Sequence, residues 1–194
     1  NTTDTLFQKQ KGNLQYYNFI ETFGVYENKI DVVFSKAMGL RKEFRIAGQK
    51  ATIAPHAPYS VSPVLMRKIA NTFDEKDELL TIHNQETKQE NELFENKVGA
   101  FFDWLNSISA SSFIWNSRNK SIDILAELKN QKILVVHNTF TQKEDITTNY
   151  YCTCPKANLY IENTIPDYSI FDVDKLCVGT DSLASNDSLS ILEE

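Results

Sequence analysis

The chain has 194 residues, a hydrophobic content of 41%, a charged content of 24% and a formal net charge of −6. This length allows one domain with a substantial core, and the acidic balance argues against nucleic-acid binding, which usually needs a basic surface. No apolar run is long enough to cross a bilayer, and the polar start does not resemble a signal peptide. The expected partners therefore include neither nucleic acid nor a membrane.

Apolar runs and helical patterns alternate along the chain. Six runs predict strands: residues 14–22, 51–56, 79–83, 132–137, 149–155 and 175–181. These runs are continuous rather than alternating, which is typical of parallel strands covered on both faces. Strands separated by helices predict βαβ units with right-handed crossovers.

Helical spacing is found in four segments: residues 26–44, 62–74, 87–108 and 121–130. Ser62 followed by Pro63 predicts the start of the second helix, because serine caps helix N-termini and proline suits the first turn.

The α/β pattern fits either an open doubly wound sheet or a (β/α)8 barrel. The absence of a Gly-rich phosphate loop after any strand disfavours the nucleotide-binding open sheet, whereas a closed barrel needs eight strands and only six are predicted.

The cysteine pattern does not indicate a disulfide framework or a zinc site. Cys152, Cys154 and Cys177 are odd in number, and a single C-x-C pair is too little for a structural zinc site. We predict that all three are small apolar core residues of strands. Free cysteines fit a reducing compartment, and we expect the protein to be cytoplasmic.

Titratable residues end four of the predicted strands. His56, His83 and His137 are the only histidines of the chain, each ends an apolar run, and Asp181 ends the last one. Parallel strands carry their carboxyl ends to the same face, which is where barrel enzymes place their active sites. One histidine at a strand end is most often a surface or capped residue, but three of three with an aspartate favour a metal-assisted site.

Four segments in order resemble the signatures of the amidohydrolase superfamily, most closely its deaminase and chlorohydrolase branch. They are APHAPYSVSP (54–63), IHNQET (82–87), VVHNTF (135–140) and VGTDSLASNDSL (178–189). The resemblance runs from about residue 16 to the end and implies a TIM-type (β/α)8 barrel. It also implies a metal-dependent hydrolase of non-peptide C–N bonds, which deaminates a small amino-heterocycle with a metal-activated water.

The resemblance implies a role for each matched residue. His83 and Asp181 correspond to ligands of one divalent metal ion, with zinc favoured and iron the alternative, and Asp181 also takes a proton from the bound water. Glu86 corresponds to the group that carries this proton to the leaving nitrogen. His137 corresponds to a histidine that either polarises the substrate or hydrogen-bonds the attacking water.

Three further residues are expected around the substrate. His56 and Ser185 match substrate-facing residues of the family. Glu21 ends the first predicted strand at the same rim, and it is either a structural hydrogen-bonding residue or a pocket residue. Glu86 also has a purely structural interpretation, since a carboxylate at a helix N-terminus complements the helix dipole. The two interpretations of Glu86 are compatible.

The chain departs from the family at its defining H-x-H pair, because no two histidines lie two residues apart. The resemblance therefore implies that residues 1–194 are a partial barrel domain covering roughly strands 3 to 8, without the first two strands and the flanking β-sandwich. Two further histidine ligands are expected outside this chain, and the segment alone is expected to bind metal poorly and be inactive. Exposed parallel edges predict self-association or completion by the rest of a parent chain.

Two alternatives stay open from the sequence. A two-metal cyclic amidase of the same superfamily would carry a lysine on the strand at residues 51–56, where this chain has a histidine and no lysine. A non-catalytic barrel fragment or binding module would have no physical need for intact Glu86, His137 and Asp181. Both are less favoured than the single-metal deaminase.

Overall fold

The computed structural model describes residues 2–73, 78–108, 120–128 and 132–194. Within these residues six strands form two parallel sheets, ordered β1–β2 and β3–β4–β5–β6. The strands are β1 (Tyr17–Thr22), β2 (Lys50–Pro55), β3 (Leu79–Asn84), β4 (Lys132–His137), β5 (Tyr150–Thr153) and β6 (Leu176–Val178). The six predicted strands are confirmed, although β5 and β6 are shorter than their apolar runs.

The two sheets meet between β2 and β3. His83 N donates to His56 O at 2.9 Å, and Thr52 Oγ1 donates to Leu79 O at 2.8 Å. The Tyr17 hydroxyl of β1 accepts a hydrogen bond from Leu79 N at 2.7 Å. All six strands therefore follow one another in chain order and in one direction, as in an incomplete (β/α)8 barrel. An open doubly wound sheet would reverse its strand order partway, so the barrel prediction is confirmed.

Helices connect most of the strands. They are α1 (Leu6–Lys11), α2 (Ile30–Ile46), α3 (Pro63–Ala70), α4 (Lys88–Asn96), α5 (Ala100–Ser107) and α6 (Pro155–Glu162). The single helix predicted over residues 87–108 is wrong: Lys97 has φ +58° and Gly99 has φ +91°, and neither value continues a right-handed helix. Residues Ser121–Leu128 form a 3₁₀ helix. Among the described residues no helix is both long and apolar enough to cross a membrane.

The helices that follow β2 and β3 begin at side-chain caps. Ser62 Oγ accepts from Leu65 N at 3.3 Å, which confirms the predicted start of α3. Thr87 Oγ1 accepts from Glu90 N at 3.2 Å at the start of α4. Each cap satisfies a backbone N–H that has no partner within its helix. The turns between these strands and helices therefore have defined ends, and both turns lie at the rim where the histidines are found.

The main core lies between the outer face of the strands and the helices. Leu80 and Ile82 of β3, with Ile133 and Val135 of β4, are buried in the cluster that includes residues of α3. The other face of β3 is only half-buried and carries Thr81 and His83. The expectation of two equally covered faces therefore holds for β2 but not for β3 or β4.

The three cysteines lie close together on β5, just beyond its end, and on β6. Cys152 and Cys154 are 7% and 2% exposed, as predicted for core residues. Cys177, which pairs in register with Cys152, is exposed, so its prediction as a core residue is wrong. β6 has one paired neighbour among the described strands, β5, and this explains the exposure.

Gly179, just after β6, is expected to be sensitive to a methyl group. An added Cβ would lie 2.9 Å from Cys152 Sγ and 3.3 Å from Cys154 Sγ. We expect Gly179→Ala to destabilise the fold by about 1–3 kcal/mol, because the two buried thiols must move. Gly39→Ala in α2 is the matched control: an added Cβ there meets no atom of the described residues within 4 Å, and we expect a gain of about 0.5–1 kcal/mol. Urea unfolding measures both, and equal effects would contradict this account.

Candidate active site

The carboxyl ends of the first four strands bring four titratable side chains to one rim. Glu21 lies in β1, His56 directly follows β2, His83 lies in β3 and His137 ends β4. The ring centroids of His56 and His83 are 5.0 Å apart, and those of His83 and His137 are 5.3 Å apart. All three histidines of the chain therefore meet at one end of the barrel, as parallel strand direction predicts.

Asp181 faces the same rim from beyond β6. Its backbone is left-handed, with φ +57°. Burial raises the pKa of Glu21 and Glu86, and the Asp181 carboxylate adds to that shift. Burial lowers the pKa of His56 and His83, and the same carboxylate acts against that shift. Ser185 is 8% exposed, and its hydroxyl donates a hydrogen bond to Asp181 Oδ2. Ser185 is thus held against the Asp181 carboxylate.

Glu21, His56 and His83 form a cluster that could hold a cation. Each offers one ligand atom, and these atoms lie within 4.8 Å of one another. His83 Nδ1 is buried, finds no hydrogen-bond partner among the described residues, and lies 3.8 Å from Glu21 Oε1. An unpaired buried nitrogen is unfavourable, and imidazole with carboxylate is a donor set that suits zinc or iron. These residues therefore fit a divalent metal ion.

This cluster differs from the ligand pair predicted from the sequence. It shares His83 with that pair, but it contains Glu21 and His56 instead of Asp181. Glu21 was left undecided from sequence because one glutamate at a strand end has no distinctive spacing. Its proximity to His83 arises only when β1, β2 and β3 lie side by side.

Both histidines of the cluster are held neutral by their surroundings. Burial, together with the neighbouring imidazoles of His137 and His56, lowers the pKa of His83 to about 3. Burial also lowers the pKa of His56 to about 4, with His137 contributing in the same direction. Neutral imidazole has a free nitrogen lone pair, which is the form that binds metal ions.

Glu86 and His137 form a second pair at the rim. Glu86 Oε1 lies 3.5 Å from His137 Nε2, and both side chains are largely buried. Burial raises the pKa of Glu86; the nearby His137 acts against this shift, whereas the Asp181 and Glu162 carboxylates add to it. A raised pKa favours the protonated form of the carboxyl group, which is the form that a general acid needs.

The turn that carries Glu86 is held by a buried carboxyl group. Glu90 Oε1 accepts from Gln85 N at 2.9 Å, and Glu90 Oε2 accepts from Glu86 N at 3.3 Å. Gln85 has φ +48°, and its side chain is fixed by Thr141, whose hydroxyl donates to Gln85 Oε1 at 2.6 Å. Glu90 was missed from the sequence, although Thr87 and Glu90 have the T-x-x-E spacing of a capping box.

Glu90 predicts a pH-dependent stability. It is fully buried, and this burial raises its pKa from 4.5 to about 7. Because the native pKa lies above the unfolded one, the contribution to stability is complete below the unfolded pKa and is lost as the pH rises through the native pKa. The loss is on the order of 3 kcal/mol, since each pKa unit corresponds to about 1.4 kcal/mol.

Urea unfolding between about pH 4.5 and about pH 7, the ordinary and the native pKa of Glu90, tests the prediction. We expect the stability of the wild type to fall relative to Glu90→Gln as the pH rises through the range, because glutamine does not ionise. Glu95→Gln, on an exposed position of α4, is the matched control and should run parallel to the wild type. Parallel curves for the wild type and Glu90→Gln would contradict the prediction.

The side chain that holds His137 was also missed from the sequence. Asn158 of α6 lies with its Oδ1 2.9 Å from His137 Nδ1, and both residues are buried. The available signal was Pro155, because proline at a first helical position marks the start of a helix. Residues 149–155 were instead interpreted as a strand, and no helix was predicted after them.

A parallel barrel whose C-terminal rim gathers imidazole and carboxyl groups is the arrangement of a barrel hydrolase site. The Amidohydrolase family matches residues 22–194 of this chain. The chain therefore belongs to the amidohydrolase family. The resemblance inferred from the four sequence segments is confirmed.

Curated relatives place the chain beside deaminases. The 5-methylthioadenosine/S-adenosylhomocysteine deaminase of Pyrococcus horikoshii is 30% identical over 154 residues, which cover 75% of this chain and 32% of the relative. The adenosine deaminase of Helicobacter pylori is 29% identical over 154 residues, which cover 75% of this chain and 38% of the relative. The deaminase branch is confirmed, and the chain spans about a third of the length of these relatives.

Solved structures agree on the fold. The crystal structure of Helicobacter pylori aminofutalosine deaminase superposes with a TM-score of 0.83 at 26% identity, covering 100% of this chain and 51% of that one. A triazine hydrolase variant superposes with a TM-score of 0.70 at 13% identity, covering 95% and 41%. At that identity the triazine hydrolase supports the barrel alone.

Proposed function

We propose that the protein containing this chain is a metal-dependent hydrolase that deaminates an amino-heterocycle, with adenosine-like nucleosides as the favoured class. The observation that carries the proposal is the Glu86–His137 pair, 3.5 Å apart and largely buried, with the raised pKa of Glu86, at the same rim as His83 and Asp181. The similar proteins support the substrate class, since their names are those of deaminases acting on adenosine and related compounds.

One divalent ion is proposed at this rim, with zinc favoured and iron the alternative. His83 and Asp181 would hold it, and the cluster makes Glu21 and His56 neighbouring donors. When bound, such an ion supplies a water whose pKa falls from about 15.7 toward about 7. Two further histidine ligands are expected outside these 194 residues, because the H-x-H pair of the family has no counterpart here.

The residues of this chain are proposed to move the protons. Asp181 takes a proton from the attacking water, and Ser185 orients its carboxylate through their hydrogen bond. Glu86 then protonates the leaving nitrogen, because ammonia is a far better leaving group than an amide anion. General acid–base transfer of this kind contributes about 10²–10⁴-fold. His56, 2.7 Å from Ser60 Oγ through Nδ1, is proposed to face the substrate.

The other predictions stay proposals. The segment alone is expected to be inactive. Self-association or completion by a parent chain is expected because, within the described ranges, no strand pairs with the outer edge of β1 or β6. The cytoplasmic location rests on the cysteine pattern. A two-metal cyclic amidase is disfavoured because β2 carries lysine only at its first residue, Lys50, away from the rim.

Ammonia release by the full-length protein tests the function. The panel contains adenosine, 5′-methylthioadenosine, S-adenosylhomocysteine and an aminotriazine, each assayed with zinc-loaded protein. We expect ammonia from at least one nucleoside and none from the 194-residue chain alone. No ammonia from any compound with the metal-loaded full-length protein would overturn the proposal.

A further inference from the structure

Asn158 makes two hydrogen bonds to the same residue. His137 Nδ1 lies 2.9 Å from Asn158 Oδ1, and Asn158 Nδ2 donates to the His137 carbonyl oxygen at 3.3 Å. The exposed fractions of the two residues are 1% for Asn158 and 2% for His137. Water therefore does not compete for these bonds. The oxygen and the nitrogen of the Asn158 amide both bond to His137.

The second bond determines the orientation of the amide. A carbonyl oxygen only accepts hydrogen bonds, so the Asn158 atom that faces His137 O must be the NH₂ group. The atom that faces His137 Nδ1 is then the amide oxygen, which also only accepts. His137 Nδ1 must therefore carry a proton, so that in the neutral form of the ring Nε2 keeps its lone pair. This nitrogen is the one that lies 3.5 Å from Glu86 Oε1.

The backbone around both residues is well supported. His137 and Asn138 have φ values of +73° and +57°, and Asn138 Nδ2 donates to Val135 O at 2.9 Å and to Cys152 O at 3.2 Å. Asn158 lies in the first turn of α6, where its N–H donates to Cys154 O at 2.8 Å. The β4 turn and the α6 start are thus both tied to the end of β5.

We propose that Asn158 is a positioning residue that holds His137 in the Nδ1-protonated tautomer and directs the Nε2 lone pair into the rim. This rests on the proposed function in one respect: it assigns His137 the task of accepting a hydrogen bond from the attacking water. The alternative left open by the sequence, polarisation of the substrate by a donated hydrogen bond, would need a proton on Nε2. A neutral ring with this tautomer does not have one.

Nitrogen NMR of ¹⁵N-histidine-labelled protein tests the tautomer directly, without any activity assay. The chain has three histidines, so His137→Gln identifies the His137 signals. At a pH where the ring is neutral, we expect wild-type His137 to show a protonated Nδ1 and an unprotonated Nε2. A predominantly Nε2-protonated ring in the wild type would overturn the proposal. This measurement does not depend on whether any Asn158 variant folds.

Two substitutions separate positioning from packing. Asn158→Leu keeps the number and branching of the side-chain heavy atoms but removes both hydrogen bonds, and we expect His137 to lose its single tautomer. Asn158→Asp keeps an acceptor for Nδ1, and we expect the Nδ1-protonated form to be retained. If Asn158→Leu also keeps the wild-type tautomer, Asn158 does not set it and the proposal fails.

Kinetics of the full-length protein test the link to catalysis. We expect Asn158→Leu to lower kcat by about 10–100-fold with little change in KM, as for loss of an outer-shell partner, and Asn158→Asp to recover part of it. An unchanged kcat in Asn158→Leu with the tautomer lost would overturn the catalytic assignment of His137. Absence of wild-type deamination would instead reject the proposed function and leave the tautomer result standing.

Discussion

Replacing Glu86 with glutamine in the full-length protein is expected to lower kcat for deamination by about 10²–10⁴-fold, the range of a lost general acid. Glutamine has the same shape as protonated glutamate but cannot release or recover a proton. Since Glu86 lies in a turn whose N–H groups are held by Glu90, the substitution should leave the backbone in place. KM should therefore change much less than kcat.

Glu95→Gln is the control for this experiment, because it makes the same chemical change on an exposed position of the neighbouring helix α4. Its kcat should equal that of the wild type. Steady-state ammonia release, measured on all three proteins with the same zinc content, gives the comparison. A Glu86→Gln protein with undiminished kcat would show that another group protonates the leaving nitrogen.

Replacing His83 with alanine is expected to weaken zinc binding by the full-length protein by more than the roughly 10–100-fold that follows loss of an outer-shell partner. His83 belongs both to the ligand pair proposed from the sequence and to the observed cluster, so its loss affects either arrangement. Its buried Nδ1 would no longer be available to a cation. Isothermal titration with zinc measures the change.

Two further variants decide which carboxylate is the ligand. Asp181→Asn should weaken zinc binding strongly if the family-like pair holds the metal, whereas Glu21→Gln should do so if the cluster does. Asp187→Asn, in the same loop as Asp181 but 81% exposed, is the matched control and should bind zinc normally. Normal zinc binding by His83→Ala, or stoichiometric tightly held zinc in the 194-residue chain alone, would contradict the proposed site.

Much of the fold was predictable because its signals are local. Strands β3 and β4 were predicted almost residue for residue, since continuous apolar runs between turn residues depend only on neighbouring positions. The same is true of the cap at Ser62. The break between α4 and α5 was not predicted, because the left-handed backbone at Lys97 interrupts a segment whose helical spacing continues across it.

The candidate active site also contains some features that the sequence predicted and others that it did not. The positions of His56, His83, His137 and Asp181 at strand ends were readable from sequence, because parallel strands bring their carboxyl ends to one face. The proximity of Glu21 to His83 was not, because it depends on which strands are neighbours. Glu90 and Asn158 were missed for a related reason, since each acts on a backbone group or ring that only the folded turn brings within reach.

The sequence by itself determined the direction and number of the strands, the titratable residue at the end of each site strand, and the membership of the amidohydrolase family. These features are encoded in short segments, and their apolar spacing and residue order can be recognised without knowledge of the fold. Only the tertiary structure decided which carboxylates approach His83, which backbone groups Glu90 binds, and which nitrogen of His137 carries the proton. Those outcomes depend on burial and on contacts between segments far apart in the chain, and no local pattern records them.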